Sequence, residues 1–181
     1  MVSYSTKGSV FLAPLDVTYA ASVLQDLGEL VQRFPDAILS MVLIEFFPFS
    51  KLLEVSQAAT SFANRGAHGN LLFCPGWNDA ANDTEYREWS RLIAKKAKAE
   101  LEKRKKGEGL DQTTRESVGE YVNYDSTLSQ IRLRSNKYSN GIVGYNENGI
   151  TLFGVNASRL SILKKRYDPG NAFRKGPNLL N

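Results

Sequence analysis

The sequence predicts an α+β fold in which helices cover one face of an antiparallel or mixed sheet. Helical and strand-like segments alternate along the chain, and long helices separate the strands. With 181 residues, the chain corresponds to one domain that is long enough to bury a core. Elements in this order are expected to pack as a sheet layer against a helix layer.

The first half of the chain is predicted to contain two helices and two strands. Residues 16–34 form an amphipathic helix that ends at Pro35, because apolar residues recur at helical spacing (Val17, Ala20, Ala21, Leu24, Leu27, Leu30 and Val31). Residues 37–47 are predicted as a strand, and their near-continuous apolarity predicts burial on both faces. A short helix is expected at 50–64, and a second strand is expected at 70–74.

A long helix is predicted at 84–106. Thr84 is a suitable N-cap, and the lysines late in the helix complement its dipole. The inward face of this helix is predicted to be one apolar stripe (Tyr86, Trp89, Ile93, Ala97 and Leu101).

The last third of the chain is predicted to be more irregular. A polar linker at 107–117 precedes a strand at 118–125 and a loop at 126–149 that is rich in glycine, asparagine and serine. A final helix is predicted to begin at Asn156, whose side chain caps it, and to end at Asp168, which a proline follows.

The composition argues against several kinds of site. His68 and Cys74 are the only histidine and cysteine, so an internal disulfide is impossible and a zinc site of the usual ligands is not expected. The net charge of +4 comes largely from residues 95–106, which are predicted to be a solvated helix end and not a nucleic-acid site. No apolar run reaches the roughly 20 residues of a membrane span. The N-terminus shows no signal peptide, which favours the cytoplasm.

Two stretches near the C-terminus carry a family resemblance. The first is the strand-like run from Tyr121 to Asp125 (Tyr-Val-Asn-Tyr-Asp), and the second runs from Phe153 to Phe173 (FGVNASRL, then LKKRYDPGNAF). Together they resemble the C-terminal signature of berberine-bridge-enzyme-like, FAD-linked oxidoreductases. The resemblance covers roughly residues 38–179, and the Glu-Phe-Phe-Pro run that begins at Glu45 is similar to fungal members.

The resemblance implies a domain organisation. Family members combine an FAD-binding domain with a substrate domain of the vanillyl-alcohol-oxidase and berberine-bridge-like fold, and this chain resembles only the second. Residues 1–150 are then the substrate-domain-like α+β region, and residues 151–181 are the C-terminal helix and tail. The FAD-binding domain is expected to be absent, so the chain is expected to be truncated relative to the family.

The resemblance also implies a catalytic residue and two cofactor-binding residues. Tyr124 corresponds to a tyrosine that lies at the flavin ring and acts as, or supports, the catalytic base; a phenol with a pKa near 10 needs a neighbour to do so. Asn123 is expected to fix the flavin-facing loop, and Asn156 is the second expected cofactor-binding residue. Structural explanations stay open for all three: a packed tyrosine, a strand-end amide and a helix cap.

A substrate pocket is expected from two segments upstream of this motif. Glu45, Phe47, Asn70 and Leu72 are its predicted lining residues, and no metal ligand is expected. In plant-like relatives a polar or acidic residue on an adjacent strand assists the tyrosine. Leu72 or its neighbour Leu71 stands where that residue is expected, so Asn70 or Glu45 would have to replace it.

Three hypotheses about function stay open. The first is the C-terminal half of an FAD-linked oxidoreductase that transfers hydride from a small hydrophobic organic molecule of the secondary-metabolite kind to flavin, with oxygen as acceptor. The second is a cofactor-free protein or cyclase with a hydrophobic pocket. The third is a non-catalytic subunit that buries its flavin-facing surface against a flavin-domain chain or in a homodimer.

Overall fold

Helices and strands alternate through the first two thirds of the chain. The computed structural model describes residues 2–119, 149, 152–173 and 179. The strands are β1 (Ser3–Tyr4), β2 (Lys7–Leu12), β3 (Met41–Glu45), β4 (His68–Cys74) and β5 (Gly76–Trp77). The α-helices are α1 (Val17–Arg33), α2 (Ser50–Leu53), α3 (Asp83–Lys106), α4 (Gln112–Ser117) and α5 (Ala157–Tyr167). The strand predicted at 118–125 and the loop predicted at 126–149 fall almost entirely outside these residues.

An antiparallel sheet of three strands, in the order β2-β4-β3, lies at the centre of the fold. Leu71 of β4 lies opposite Ser9 of β2 and Ile44 of β3, which defines the register across the sheet. Because side chains alternate along a strand, the odd-numbered residues of β4 point to one face and the even-numbered residues point to the other. Strands β1 and β5 form a separate antiparallel pair.

Helices α1 and α3 pack on the face that carries the odd-numbered residues of β4. The main hydrophobic cluster joins the sheet to both helices (Phe11, Leu71 and Phe73 from the strands, with Val23, Ile93 and Ala97 from the helices). Phe73 is completely buried, and Leu71 is almost so. The predicted α+β class, with an antiparallel sheet and helices on one face, is therefore confirmed.

A second cluster joins the end of α1 to the start of α3. The rings of Trp77 and Tyr86 stack with their centroids 4.7 Å apart, and the indole nitrogen of Trp77 donates to Asp83 at 2.6 Å. Asp36 accepts the Tyr86 hydroxyl at 2.5 Å and the backbone N–H groups of residues 78 and 79. These bonds, with that of the Tyr86 hydroxyl foremost, lower the pKa of Asp36 below its usual value.

The two long helices were predicted within one residue of their ends. Asp16 caps α1 by accepting the N–H of Tyr19 at 2.8 Å. The predicted inward stripe of α1 is wrong in part, since Val17 and Leu24 are 82% and 57% exposed while Val23 is buried. In α3 the predicted stripe faces inward, but the helix begins at Asp83, so Thr84 is not its cap.

The prediction of one strand at 37–47, buried on both faces, is wrong. Residues Pro35–Leu39 form a 3₁₀ turn, and β3 begins only at Met41. Within the described sheet β3 is an edge strand, and Met41 and Leu43 are 51% and 43% exposed. Apolar residues on an edge strand that is only half covered look the same in sequence as those of a fully buried strand.

Several short elements were missed or shortened. Strands β1 and β2 carried no prediction, and the helix expected at 50–64 is limited to α2 and a 3₁₀ turn at Gln57–Ala59. The expected linker at 107–117 contains α4. Asp111 caps the N-terminus of this helix by accepting the N–H of Thr114 at 2.8 Å. One carboxylate cap is sufficient to begin a helix of this length when tertiary contacts bury Thr114.

The last helix, α5, ends where it was predicted to end. The Asp168 carboxylate accepts the N–H groups of Ala172 and Phe173 and pairs with Lys164, whose hydrogen bond is the main cause of a lowered pKa at Asp168. The predicted side-chain cap at the other end is wrong, since Asn156 makes no capping bond and donates instead to the Gln57 carbonyl. Among the described residues, no helix has both the length and the apolarity to cross a membrane.

Two glycine-to-alanine substitutions are expected to change stability in opposite directions. In β4, a methyl group at Gly69 would lie 2.3 Å from the Phe11 ring and 2.5 Å from the Glu45 carbonyl oxygen. Gly69→Ala should therefore lower the free energy of unfolding by about 1–3 kcal/mol through overpacking. In α1, Gly28 has open space around it, so Gly28→Ala should raise that free energy by about 0.5–1 kcal/mol.

Urea denaturation monitored by circular dichroism measures both effects. The two variants carry the same chemical change, so each is the control for the other. A Gly69→Ala protein as stable as the unmodified chain would contradict the close approach of β2 and β3 to β4 at this position.

Candidate functional site

The predicted pocket residues lie on one face of the sheet. Glu45 of β3 shares a register position with Asn70 of β4, and Leu72 follows two residues later on the same face. Phe47 lies two residues beyond Glu45 and contacts His68, which also belongs to this face. We call this face, which points away from the Leu71–Phe73 core, the outer face (Met41, Leu43 and Glu45 of β3, with His68, Asn70, Leu72 and Cys74 of β4).

A polar pair lies across the two strands at one end of the outer face. The side-chain amide of Asn70 donates to the Glu45 carboxylate at 3.0 Å. Both side chains are partly buried, and their strands place them directly opposite each other. A carboxylate held by an amide in this way has a defined orientation, which a proton-accepting or substrate-binding group needs.

The other end of the outer face is apolar. Leu72 is paired with Leu43 on one side and with Gly8, which has no side chain, on the other. Leu43 and Met41 are partly exposed, so this end presents a hydrocarbon surface beside the Glu45–Asn70 pair. Sites for small organic ligands combine a mainly apolar lining with a few placed polar groups, and this face carries both kinds of group.

His68 lies buried at the start of β4. Its Nδ1–H donates to the Gly66 carbonyl oxygen at 2.7 Å, because a carbonyl can only accept, and Nε2 is then the unprotonated nitrogen. The ring contacts Phe47 edge-on and stacks on Phe62, with centroids 5.1 and 6.4 Å away. Burial lowers the pKa of His68, which keeps the ring neutral.

From sequence alone, His68 has two interpretations: a residue that lines a pocket, or a solvated or backbone-bonded residue in a loop. The backbone bond is confirmed, whereas the loop position and the solvation are wrong, because His68 is 2% exposed and begins a strand. The apolar run of β4 was expected to start at residue 70. Glycines usually mark a break in a strand, so Gly66 and Gly69 led to a predicted start two residues too late.

Asn156 lies apart from the polar pair, in the turn that precedes α5. It is buried, and its side-chain amide donates to the Gln57 carbonyl at 2.9 Å. Gly154, in the same turn, has a φ of +51°, and an added methyl group there would lie 3.2 Å from the Gln57 side chain. The amide of Asn156 therefore fixes the C-terminal segment against residues 57–59.

Arg65 anchors the segment between α2 and β4. Its guanidinium is buried and donates to the Ser56 carbonyl, the Asn64 carbonyl and the Thr60 hydroxyl, the last at 2.6 Å. The Phe62 ring lies under it at 5.4 Å. These bonds hold the stretch that carries Phe62 beside His68.

Tyr124 and Asn123 lie outside the described residues, so the catalytic and first cofactor-binding predictions stay predictions. Within the described ranges, no group of His, Cys, Asp and Glu side chains could hold a metal ion. The described part of the site is thus one wall: an oriented carboxylate, a neutral histidine and an apolar surface.

Known proteins resemble this chain in two ways. Residues 120–179 match the family model of berberine and berberine-like proteins. By structure, the chain is similar to a histidine-to-alanine variant of berberine bridge enzyme in complex with (S)-reticuline, at 18% identity and a TM-score of 0.65 over 98% of this chain and 33% of that one. No curated protein sequence matches the chain significantly.

Two further solved structures are similar to the chain at low sequence identity. CrmK, a flavoenzyme of shunt product recycling in caerulomycin biosynthesis, shares 20% identity at a TM-score of 0.62, over 98% of this chain and 33% of CrmK. The glycopeptide hexose oxidase DBV29, complexed with teicoplanin, shares 19% identity at a TM-score of 0.60, over 99% of this chain and 32% of that one.

These similarities establish the fold of the chain. The chain has the α+β fold of the substrate domain in these structures, and it spans about one third of their length. The resemblance to the berberine-bridge-enzyme-like family, expected from the C-terminal motifs, is confirmed by the family-model match together with this fold.

Stability is expected to fall with acid because of His68. The folded state holds the pKa of this ring below its ordinary value of 6.5, so the unfolded chain takes up a proton more readily. The contribution is complete at neutral pH and is lost as pH falls below 6.5 toward the lowered folded value. Urea midpoints measured between about pH 7.5 and 5.5 should therefore decline.

The matched variant is His68→Asn, whose amide can still donate to the Gly66 carbonyl. It should be less stable at neutral pH, since the contacts with Phe47 and Phe62 are lost, and its midpoint should change less over this pH range. Because His68 is the only histidine, an unchanged pH slope in the variant would show that His68 is not responsible.

Proposed function

We propose that this chain provides the substrate-binding wall of an FAD-linked oxidoreductase that acts on a small organic molecule. The observation that supports this most is the grouping of Glu45, Asn70, Leu72 and Phe47 on the outer face. The match of residues 120–179 to the berberine and berberine-like model supports the cofactor class.

The outer face fits one part of FAD better than the other. The paired leucines Leu43 and Leu72 give a hydrocarbon surface against which the largely apolar isoalloxazine ring would pack. Among the described residues, no glycine-rich loop opens a helix in the way that a pyrophosphate cradle requires. The phosphates would then be held by another part of the enzyme, in keeping with a chain that spans one third of its structural relatives.

FAD, when bound, would supply the redox chemistry by accepting hydride from the substrate and passing electrons to oxygen. The side chains of this protein have other tasks. Tyr124 is proposed to take a proton from the substrate, and Asn123 to position the loop that carries it. Asn156 is proposed to act through its bond to the Gln57 carbonyl, which holds the C-terminal segment in place.

The Glu45–Asn70 pair is proposed as the polar end of the substrate pocket. The amide of Asn70 fixes the direction of the Glu45 carboxylate, which can then accept a hydrogen bond or a proton from substrate or from Tyr124. The neutral ring of His68, held by Gly66, adds an apolar and uncharged neighbour. The pocket would therefore present the Glu45–Asn70 pair beside the apolar surface of Leu43 and Leu72.

Binding of lumiflavin, which is the ring of FAD without its phosphates, tests the proposal. Lumiflavin should bind the 181-residue chain saturably, and FAD should bind no more tightly, because the described residues include no loop that could hold the phosphates. Leu43→Arg should weaken lumiflavin binding by at least about tenfold, since it places a charge on the apolar surface. Isothermal titration calorimetry measures each affinity.

The matched control is Leu24→Arg, because Leu24 is a similarly exposed leucine on α1, away from the outer face. It should leave lumiflavin affinity unchanged. If the chain binds no lumiflavin, or if the two variants weaken binding equally, the outer face is not a flavin surface. An apolar ligand without flavin, or a partner chain, would then be the function to pursue.

A further inference from the structure

A groove runs between the second half of α1 and the first half of α3. Its volume is about 660 Å³. Its lining includes the ion pair of Asp26 with Lys96, at 2.6 Å, and the ring of Phe34, which contacts Tyr86 at 5.2 Å. The volume lies within the range of about 300–1,000 Å³ that is common for small-molecule sites.

The floor of the groove is apolar and aromatic. Leu30 and Ile93, which are almost completely buried, form its base, and Trp89 is partly buried beside them. Leu92 lines the wall and is 55% exposed, so its side chain extends the apolar surface toward solvent. Ile93 also belongs to the core with Leu71 and Phe73, so the sheet separates this groove from the outer face.

The rim of the groove is acidic. Glu29 of α1 and Glu85 and Glu88 of α3 line it, whereas the charges of Asp26 and Lys96 neutralise each other. The opposing positive group is Arg33, whose guanidinium lies over the Phe34 ring at 4.9 Å. Glu85 lies in the first turn of α3, where a carboxylate offsets the helix dipole, but Glu29 and Glu88 have no such role.

We propose that this groove binds a small organic cation, an amine with an aromatic or alkyl body. The body would lie on Leu30, Ile93 and the Trp89 ring, and the ammonium group would be held by Glu29 and Glu88. A cation near an indole ring gains further attraction from its π-electrons. The site is separate from the outer face, so the proposal does not depend on the flavin-linked function.

Tryptophan fluorescence provides a direct readout. The chain contains two tryptophans; Trp77 is completely buried under Tyr86, and Trp89 lines the groove. The probe is 4-phenylbutylammonium, and 4-phenylbutyrate is the same body with a negative head group. The ammonium probe should change the fluorescence saturably, with a Kd in the millimolar range or below, whereas the carboxylate probe should give no saturable change.

Two sets of variants test the two parts of the site. Glu29→Gln combined with Glu88→Gln removes negative charge from the rim and should weaken binding of the ammonium probe by at least about fivefold. Leu92→Lys should abolish binding by adding a positive charge to the wall. Leu24→Lys is its control, because Leu24 is 57% exposed on α1 and does not line the groove.

Each possible result of these binding measurements either supports or overturns the proposal. Selective binding of the ammonium probe that is lost in Leu92→Lys and kept in Leu24→Lys supports the proposal. Equal binding of both probes, the absence of any saturable change, or an unchanged affinity in the double glutamate variant would overturn it. Far-UV circular dichroism establishes that each variant is folded, and each substitution lies at a residue that is at least partly exposed.

Discussion

The register of β4 against its two neighbours is the constraint on which the described fold depends. One face of β4 places Leu71 and Phe73 under α1 and α3, while the other carries Asn70 and Leu72. A shift of one residue would bring the amide of Asn70 into the core and expose Phe73, so the sheet cannot slip without losing both faces. Gly69 contributes to this constraint, since any side chain there would meet the Phe11 ring.

The same register produces the polar pair of the candidate site. Glu45 ends β3 opposite Asn70, so their hydrogen bond follows from strand pairing and needs no separate loop to position it. Side chains on strands are held more rigidly than side chains on loops, which suits a group that must keep its orientation beside a ligand. His68, buried at the start of β4 on the same face, packs against Phe47 at this end of the sheet.

The spacing of apolar residues predicted the long helices of this fold, but it could not predict which strands pair. Helices α1 and α3 each carry many apolar residues at helical spacing, so their bounds followed from sequence within a residue. Strand β2 is interrupted by glycine and serine, and its identity rests on hydrogen bonds to β4, some 60 residues away. The four pocket residues were predicted through family resemblance, whereas the Glu45–Asn70 bond and the burial of His68 depend on a register that the sequence does not contain.

The groove between α1 and α3 explains a feature of the helix layer that the core alone does not. Two helices that cover a sheet normally gain stability by packing their facing side chains together. Here α1 and α3 share the core through Val23, Ile93 and Ala97, but Leu92 beside the groove remains half exposed. Apolar area left uncovered in this way forgoes burial free energy, which a ligand would restore by binding the folded state alone. A bound cation would therefore stabilise the helix layer, and through Ile93 the core that supports the outer face.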